Sequence, residues 1–184
     1  MKSYVLLLFI LLGVSCQKPS PLEQLLSCES SEKIIFNKTS TDFNKNFSIK
    51  TSTHWKTNLY YDDFQSSIMT ADTTKALNET FIFEAAIYNG ALEFTAEFNA
   101  NLQATIAQNN QSLLQEDFFD WQGYPAYFNL VKGMKNERPF QELSIYINHS
   151  PTTYLRVQTQ VYGTKNVRDR LCYSLQVFNG LKIK

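Results

Sequence analysis

The sequence predicts an α+β fold, an antiparallel β-sheet flanked by helices, and three observations carry that expectation. Residues 140–148 and 153–162 alternate cleanly. Leu143, Ile145 and Ile147, then Leu155, Val157 and Val161, oppose Glu142, Ser144, Asn148, Arg156, Gln158 and Gln160. A period of two marks a half-buried strand. The strands within residues 113–162 also follow one another through short loops, and such neighbours must be antiparallel, because a parallel pair needs a crossover of about a dozen residues or more. Finally, two segments carry apolar residues at helical spacing: Phe94, Phe98, Leu102 and Ile106, and later Val167, Leu171, Leu175 and Phe178.

The N-terminus stands apart from the fold. Lys2 is followed by an apolar run over residues 4–12, then by Gly13, Val14 and Ser15, and then by Cys16. Charge, short hydrophobic stretch and small residues make an export signal that is too short to span a bilayer. Its end resembles a bacterial lipoprotein signal, in which the cysteine is acylated and becomes the new N-terminus. Gly13 stands where that signal usually has Leu, with Leu12 one place earlier. The alternative is an ordinary secretory peptide that leaves Cys16 as a free thiol. Gln17 and Lys18 follow, with no Asp of the kind that retains lipoproteins at the inner membrane. The expected organisation is therefore a signal peptide at 1–15, a lipid-anchored tether at 16–30 and one domain at 31–184. The expected place is the bacterial cell envelope, at the outer membrane rather than the inner.

Within the domain, residues 21–28 predict a short helical turn through Leu22, Leu25 and Leu26. Residues 33–37 predict a short edge strand around Ile34, Ile35 and Phe36. Residues 46–51 are the first clear strand, with Phe47 and Ile49 on one face. A loop over 52–56 follows, whose Trp55 is expected to plug the core. Tyr60, Tyr61, Asp62 and Asp63 read as a solvated turn rather than a cation site, since Ca²⁺ needs several converging oxygens. Strands are expected at 65–71 and 80–88. The second carries apolar residues on both faces, which predicts a sheet covered on both sides.

The helix over 91–108 begins with Glu93 and Glu97, both favourable at the positive end of a helix dipole. Residues 113–121 form a strand that alternates poorly. Residues 121–125 reverse the chain with Gly123 and Pro125, and a strand over 124–134 places Ala126, Phe128, Leu130 and Met134 on one face. After the strands at 140–148 and 153–162, the helix over 165–179 closes the chain.

Composition excludes some functions. Lys plus Arg and Asp plus Glu balance at 17 each, so there is no basic footprint for nucleic acid. The two histidines, His54 and His149, lie in a turn and at a strand end and read as surface residues. No glycine-rich phosphate loop and no zinc-ligand spacing is present. The expectation is a protein that is not an enzyme, with no catalytic residue, no metal site and no cofactor. With Cys16 acylated, Cys28 and Cys172 remain as an even pair in an oxidising compartment. They form either a disulfide or two buried thiols.

The order of strands, helix, four-strand meander and terminal helix resembles the PsbP-like family. The resemblance rests on Phe47-Ser48-Ile49-Lys50 followed by Trp55, on Gly123-Tyr124-Pro125-Ala126, and on the closing helix, and it runs from about Asp42 to Lys184. It implies an α/β/α sandwich and a non-enzymatic accessory or assembly role. The even face of the last strands, with Tyr146, Tyr154, Arg156 and Tyr162, has two readings. Either a helix packs over the Tyr residues and the rest is a wet rim, or the face or its edge is a docking surface for another envelope protein, since Tyr and Arg are enriched at interfaces. The alternative is a carrier or sensor of a small apolar ligand, held in a cavity lined by Phe94, Phe98, Trp121 and Phe128.

Overall fold

The computed structural model describes residues 21–28 and 34–184. The signal at 1–15, Cys16 and residues 17–20, 29 and 30 of the tether therefore lie outside the described residues, while residues 21–28 of the expected tether are part of the fold. Among the described residues the elements run α1 (Pro21–Leu25), β1 (Lys38–Thr41), β2 (Phe47–Thr51), β3 (Lys56–Tyr61), β4 (Gln65–Ala71), β5 (Ile82–Asn89), α2 (Ala96–Gln108), β6 (Ser112–Trp121), β7 (Tyr124–Lys135), β8 (Arg138–Ser150), β9 (Thr153–Tyr162), α3 (Val167–Asn179) and β10 (Lys182–Ile183). A seven-stranded antiparallel sheet has the order β3-β4-β5-β9-β8-β7-β6, and a small sheet has the order β1-β2-β10.

The alternation read in β8 and β9 becomes two unlike faces. Register aligns Phe128, Ile145, Val157 and Ala85 in one row, all buried in the hydrophobic core. Helix α3, Leu22 of α1, and Phe47 and Ile49 of the small sheet join this core. The opposite face aligns Tyr127, Tyr146, Arg156 and Ala86, and next to them Asn129, Ser144, Gln158 and Glu84. Helix α2 lies over part of that polar face. The architecture is an α+β sandwich with helices on both sides of the sheet. Trp55 is buried at one end of the core, edge-on to Phe81 at 5.4 Å.

Several boundaries differ from expectation, each for a local reason. The strand expected at 33–37 is not there: its described residues 34–37 are irregular and the strand begins at Lys38. The Ile34 amide donates to Gln176 Oε1 at 3.0 Å rather than to a ladder, and Ile35 turns outward, 81% exposed. Strand β3 occupies residues read as loop and turn. It is an exposed edge without alternation, specified by its pairing with β4. Helix α2 starts at Ala96 instead of residue 91, because the Thr95 hydroxyl accepts from the Phe98 amide at 3.2 Å and caps it. Glu97 therefore sits in the first turn and Glu93 does not.

The poor alternation of β6 has a cause in a register shift between Leu113 and Gln115, where one extra residue breaks the period of two. The reversal after Trp121 is made by Gln122 and Gly123 at φ +55° and +88°, the paired positive angles that a tight hairpin favours. Pro125 lies inside β7 rather than in the turn. Met134 extends past the covered part of β7 and is exposed.

Candidate functional site

The polar face is where the sequence placed a docking surface, and α2 divides it in two. Over β6, β7 and β8, the ring of Phe98 stands edge-on to Tyr127 and to Tyr146, each at 5.4 Å. Phe94, just ahead of the helix, meets Phe118 at 5.6 Å. Aromatic pairs at these distances contribute roughly 0.5–1.5 kcal/mol beyond their burial. The Tyr127 hydroxyl donates to Glu116. Burial first, and that carboxylate second, push the Tyr127 phenol well above its ordinary value. Beside α2 runs a groove of about 330 Å³, floored by Glu142, Ser144, Tyr146, Arg156 and Gln160 and walled by Leu102 and Ile106.

Over β5 and β9 no helix among the described residues covers the polar face. Tyr88 and Tyr154 stack there, with centroids 5.0 Å apart and planes 11° from parallel. Burial raises both phenols above their ordinary value. Arg156 lies next to them, its guanidinium 5.6 Å from the Tyr146 ring and 4.0 Å from Glu142 Oε1. Burial alone would lower its pKa, but the facing Tyr146, Glu142 and Tyr88 outweigh that and raise it. Its Nε is buried without a hydrogen-bond partner among the described residues. Glu142 is held in turn by Gln160 Nε2 at 3.2 Å. Chemically this patch offers flat aromatic surface, a fixed cation and amide side chains, which suits recognition.

The expected surface residues therefore separate. Tyr154 and Arg156 are half-buried on the open part, Tyr146 lies beneath Phe98, and Tyr162 is buried against Phe140 at 5.2 Å. Tyr88 and Glu84 complete the open patch. They belong to a strand 66 residues or more before Tyr154, so only pairing across β5 and β9 unites them. The four side chains expected to line an apolar cavity do not converge on one space. Phe94 and Phe98 sit on the α2 side, whereas Trp121 packs on Phe178 of α3 and Phe128 is in the opposite core.

The larger cleft, about 620 Å³, lies near the start of α3 and is lined in part by Trp55, Phe81, Lys75, Glu79, Lys165 and Arg170. Its cations are already engaged. Lys165 pairs with Glu79 at 2.6 Å, Lys75 with Asp72 at 3.7 Å, and Arg170 donates to the carbonyls of Thr80, Tyr162 and Lys165.

Asp62, in the Tyr60–Asp63 segment, accepts from the Phe64 and Gln65 amides and so closes a turn. Among the described residues, no group of three or more His, Cys, Asp or Glu is placed to hold a metal ion. A disulfide joins Cys28 to Cys172, with Cα atoms 5.6 Å apart, and ties the α1 segment to α3.

Among solved structures, the chain is similar to cyanobacterial PsbP from Synechocystis. The TM-score is 0.55 at 10% sequence identity, covering 85% of this chain and 97% of that one. That similarity shows a PsbP-like fold. The apo structure of the T6SS immunity protein TplEi from Pseudomonas aeruginosa gives a TM-score of 0.49 at 10% identity, over 83% of this chain and 53% of that one. A protein from Bacteroides thetaiotaomicron gives 0.46 at 11% identity, over 82% and 49%. The chain thus spans about half the length of these last two. No protein-family model and no curated protein matches the sequence.

Proposed function

We propose that the chain is an exported bacterial envelope protein, anchored at the outer membrane by acyl groups on Cys16, whose PsbP-like domain binds a protein partner without catalysing a reaction. The anchor is supported by the small-residue run that ends at Cys16 and by Gln17 in the following position. The binding role is carried by one observation: the stacked Tyr88–Tyr154 pair beside Arg156, on the part of the polar face that α2 leaves open. Interfaces concentrate their energy in aromatic and arginine anchors of this kind.

Cross-linking in intact cells tests the reading. The unsubstituted protein is expected to capture a defined partner, and Tyr154→Ala with Arg156→Ala to lose it while keeping a native circular dichroism spectrum. Undiminished capture by a folded double variant would remove this face from consideration. Separately, a mass spectrum of the native chain should show an acylated N-terminal Cys16; an unmodified chain starting at Met1 contradicts the anchor. The apolar-carrier reading is disfavoured, since Phe94 and Phe98 lie across the sheet from Trp121 and Phe128.

A further inference from the structure

One end of the sandwich carries the β3–β4, β6–β7 and β8–β9 hairpins, since register sets Tyr61 opposite Ser66, Trp121 opposite Tyr124 and Ser150 opposite Thr153. The β1–β2 hairpin reaches this end too. Asp42 Oδ2 accepts from Ser66 Oγ at 2.8 Å, and Phe43 lies flat on Tyr61, with centroids 3.8 Å apart and planes 5° from parallel. Phe43, Tyr61 and the hairpin residue Phe64 are 53%, 58% and 74% exposed. Aromatic rings held at hairpin tips in water contribute little to the core, and clustered exposure of this kind marks a contact surface.

The chain enters the fold at the same end. In α1, Glu23 Oε1 accepts from Asn179 Nδ2 at 3.1 Å, at the C-terminal end of α3. The neighbouring Phe178 packs on Trp121 at 5.5 Å, beside the β6–β7 hairpin. Cys16 precedes Pro21 by five residues, a reach of at most about 18 Å when fully extended. A lipid on Cys16 therefore brings this end, and not the opposite one, to the bilayer.

We infer that Phe43, Tyr61 and Phe64 dock into the interfacial layer of the membrane that holds the lipid, so that the domain stands on its hairpin end with the Tyr88–Tyr154 face turned sideways. Tyr and Phe suit that layer, where a ring has apolar surroundings on one side and water on the other. The tether makes the contact intramolecular, so a small apolar patch suffices. The charges nearby are mixed. Asp62 is spent on the Phe64 and Gln65 amides, while Asp63 and Lys45 are exposed, so the docking is apolar and does not require anionic lipid. The inference rests on the acyl anchor proposed above.

The test uses the full mature chain, acylated at Cys16 and reconstituted in vesicles of phosphatidylcholine with brominated acyl chains. Phe64→Trp places a fluorophore at the docking end, and Ala76→Trp places one in the exposed β4–β5 loop at the other end. Each is measured as the difference from the unsubstituted protein, whose Trp55 and Trp121 are buried. Phe64→Trp is expected to lose most of its emission to the bromolipid and shift to the blue, and Ala76→Trp to do neither. Adding Phe43→Ser should weaken the Phe64→Trp quenching. An acylated protein in which neither reporter is quenched, or both equally, overturns the docking while leaving the anchor standing. A mass spectrum showing unmodified Cys16 overturns the anchor, and the docking with it.

Discussion

Helices α2 and α3 are thirteen residues each and carry comparable apolar stripes, yet they are held very differently. Seven residues of α3, from Arg170 to Phe178, are buried; in α2 only Ile106 is. The reason lies across the interface. Helix α3 faces rows of Phe, Ile, Val and Leu, and where it brings Ser174 inward a matching Thr159 hydroxyl donates to it at 3.0 Å. Helix α2 faces a mixed surface, with Asn129, Glu142, Ser144 and Gln160 among the apolar Val131 and Phe140, and its Phe98 packs on the rings of Tyr127 and Tyr146. A stripe shows which side of a helix is apolar, but the opposing face decides how much of it leaves water. The fold thus has a fastened face and a lightly covered one, and the candidate binding patch lies on the latter.

The disulfide is the strongest fastening and gives the largest expected effect. It closes a separation of 144 residues, which the chain-entropy account values at about 5 kcal/mol, the upper end of the roughly 2–5 kcal/mol that removing a native bridge costs. No free thiol from Cys28 or Cys172 should be titrated in denaturant without reductant. Reduction, or Cys28→Ser with Cys172→Ser, should lower the urea midpoint by the equivalent of those energies. Two titratable thiols would remove the covalent half of the contrast between the helices.

Packing sharpens the same contrast. Phe178→Ala, in the filled core against Trp121, should cost about 3–5 kcal/mol, and Ile106→Ala should fall at or below the low end for such truncations, about 2 kcal/mol. Urea denaturation of both variants measures this. Equal losses would mean that α2 is packed as firmly as α3, and that the patch beside it is an ordinary part of the core surface.

Much of this was legible in the sequence, and what was not had physical causes. The alternation in β8 and β9 and the spacing of the two stripes sufficed for the sheet and its covering helices. The edges escaped, because β3 has no buried face of its own to impose a period, and β1 follows an Ile34-Ile35-Phe36 run that is more apolar than the strand itself. The patch was half legible. Tyr154 and Arg156 are visible in β9, but Tyr88 joins them only through pairing across a strand distant in sequence. Nothing local shows that Phe98 covers Tyr146 or that Phe140 covers Tyr162. The meeting of Phe43 with Tyr61 is likewise a product of two hairpins folding to the same end.

The smallest effects are electrostatic, and they distinguish the two faces by the sign of their pH dependence. On the lightly covered face, Tyr88, Tyr127 and Tyr154 all have phenols raised by burial, and Tyr127 further by its bond to Glu116. The folded state holds these protons more tightly than the unfolded chain does. Their contribution is therefore complete below the ordinary phenol value of about 10 and is lost as pH rises through the higher folded values. The thermal midpoint should fall in alkali, and Tyr127→Phe should flatten that fall; an unchanged slope would mean that Tyr127 ionises as freely folded as unfolded. On the α3 side the sign reverses. The hydrogen bond and charge of Lys165 lower the Glu79 carboxyl, so its contribution is present above the ordinary value of 4.5 and is lost as pH falls through the depressed one. The pair is exposed, and exposed ion pairs contribute little. Glu79→Gln should therefore remove only a slight acid-side dependence of the midpoint and leave the alkaline side untouched. A large acid effect would mean that the tie between the β4–β5 loop and the start of α3 matters more than its exposure allows.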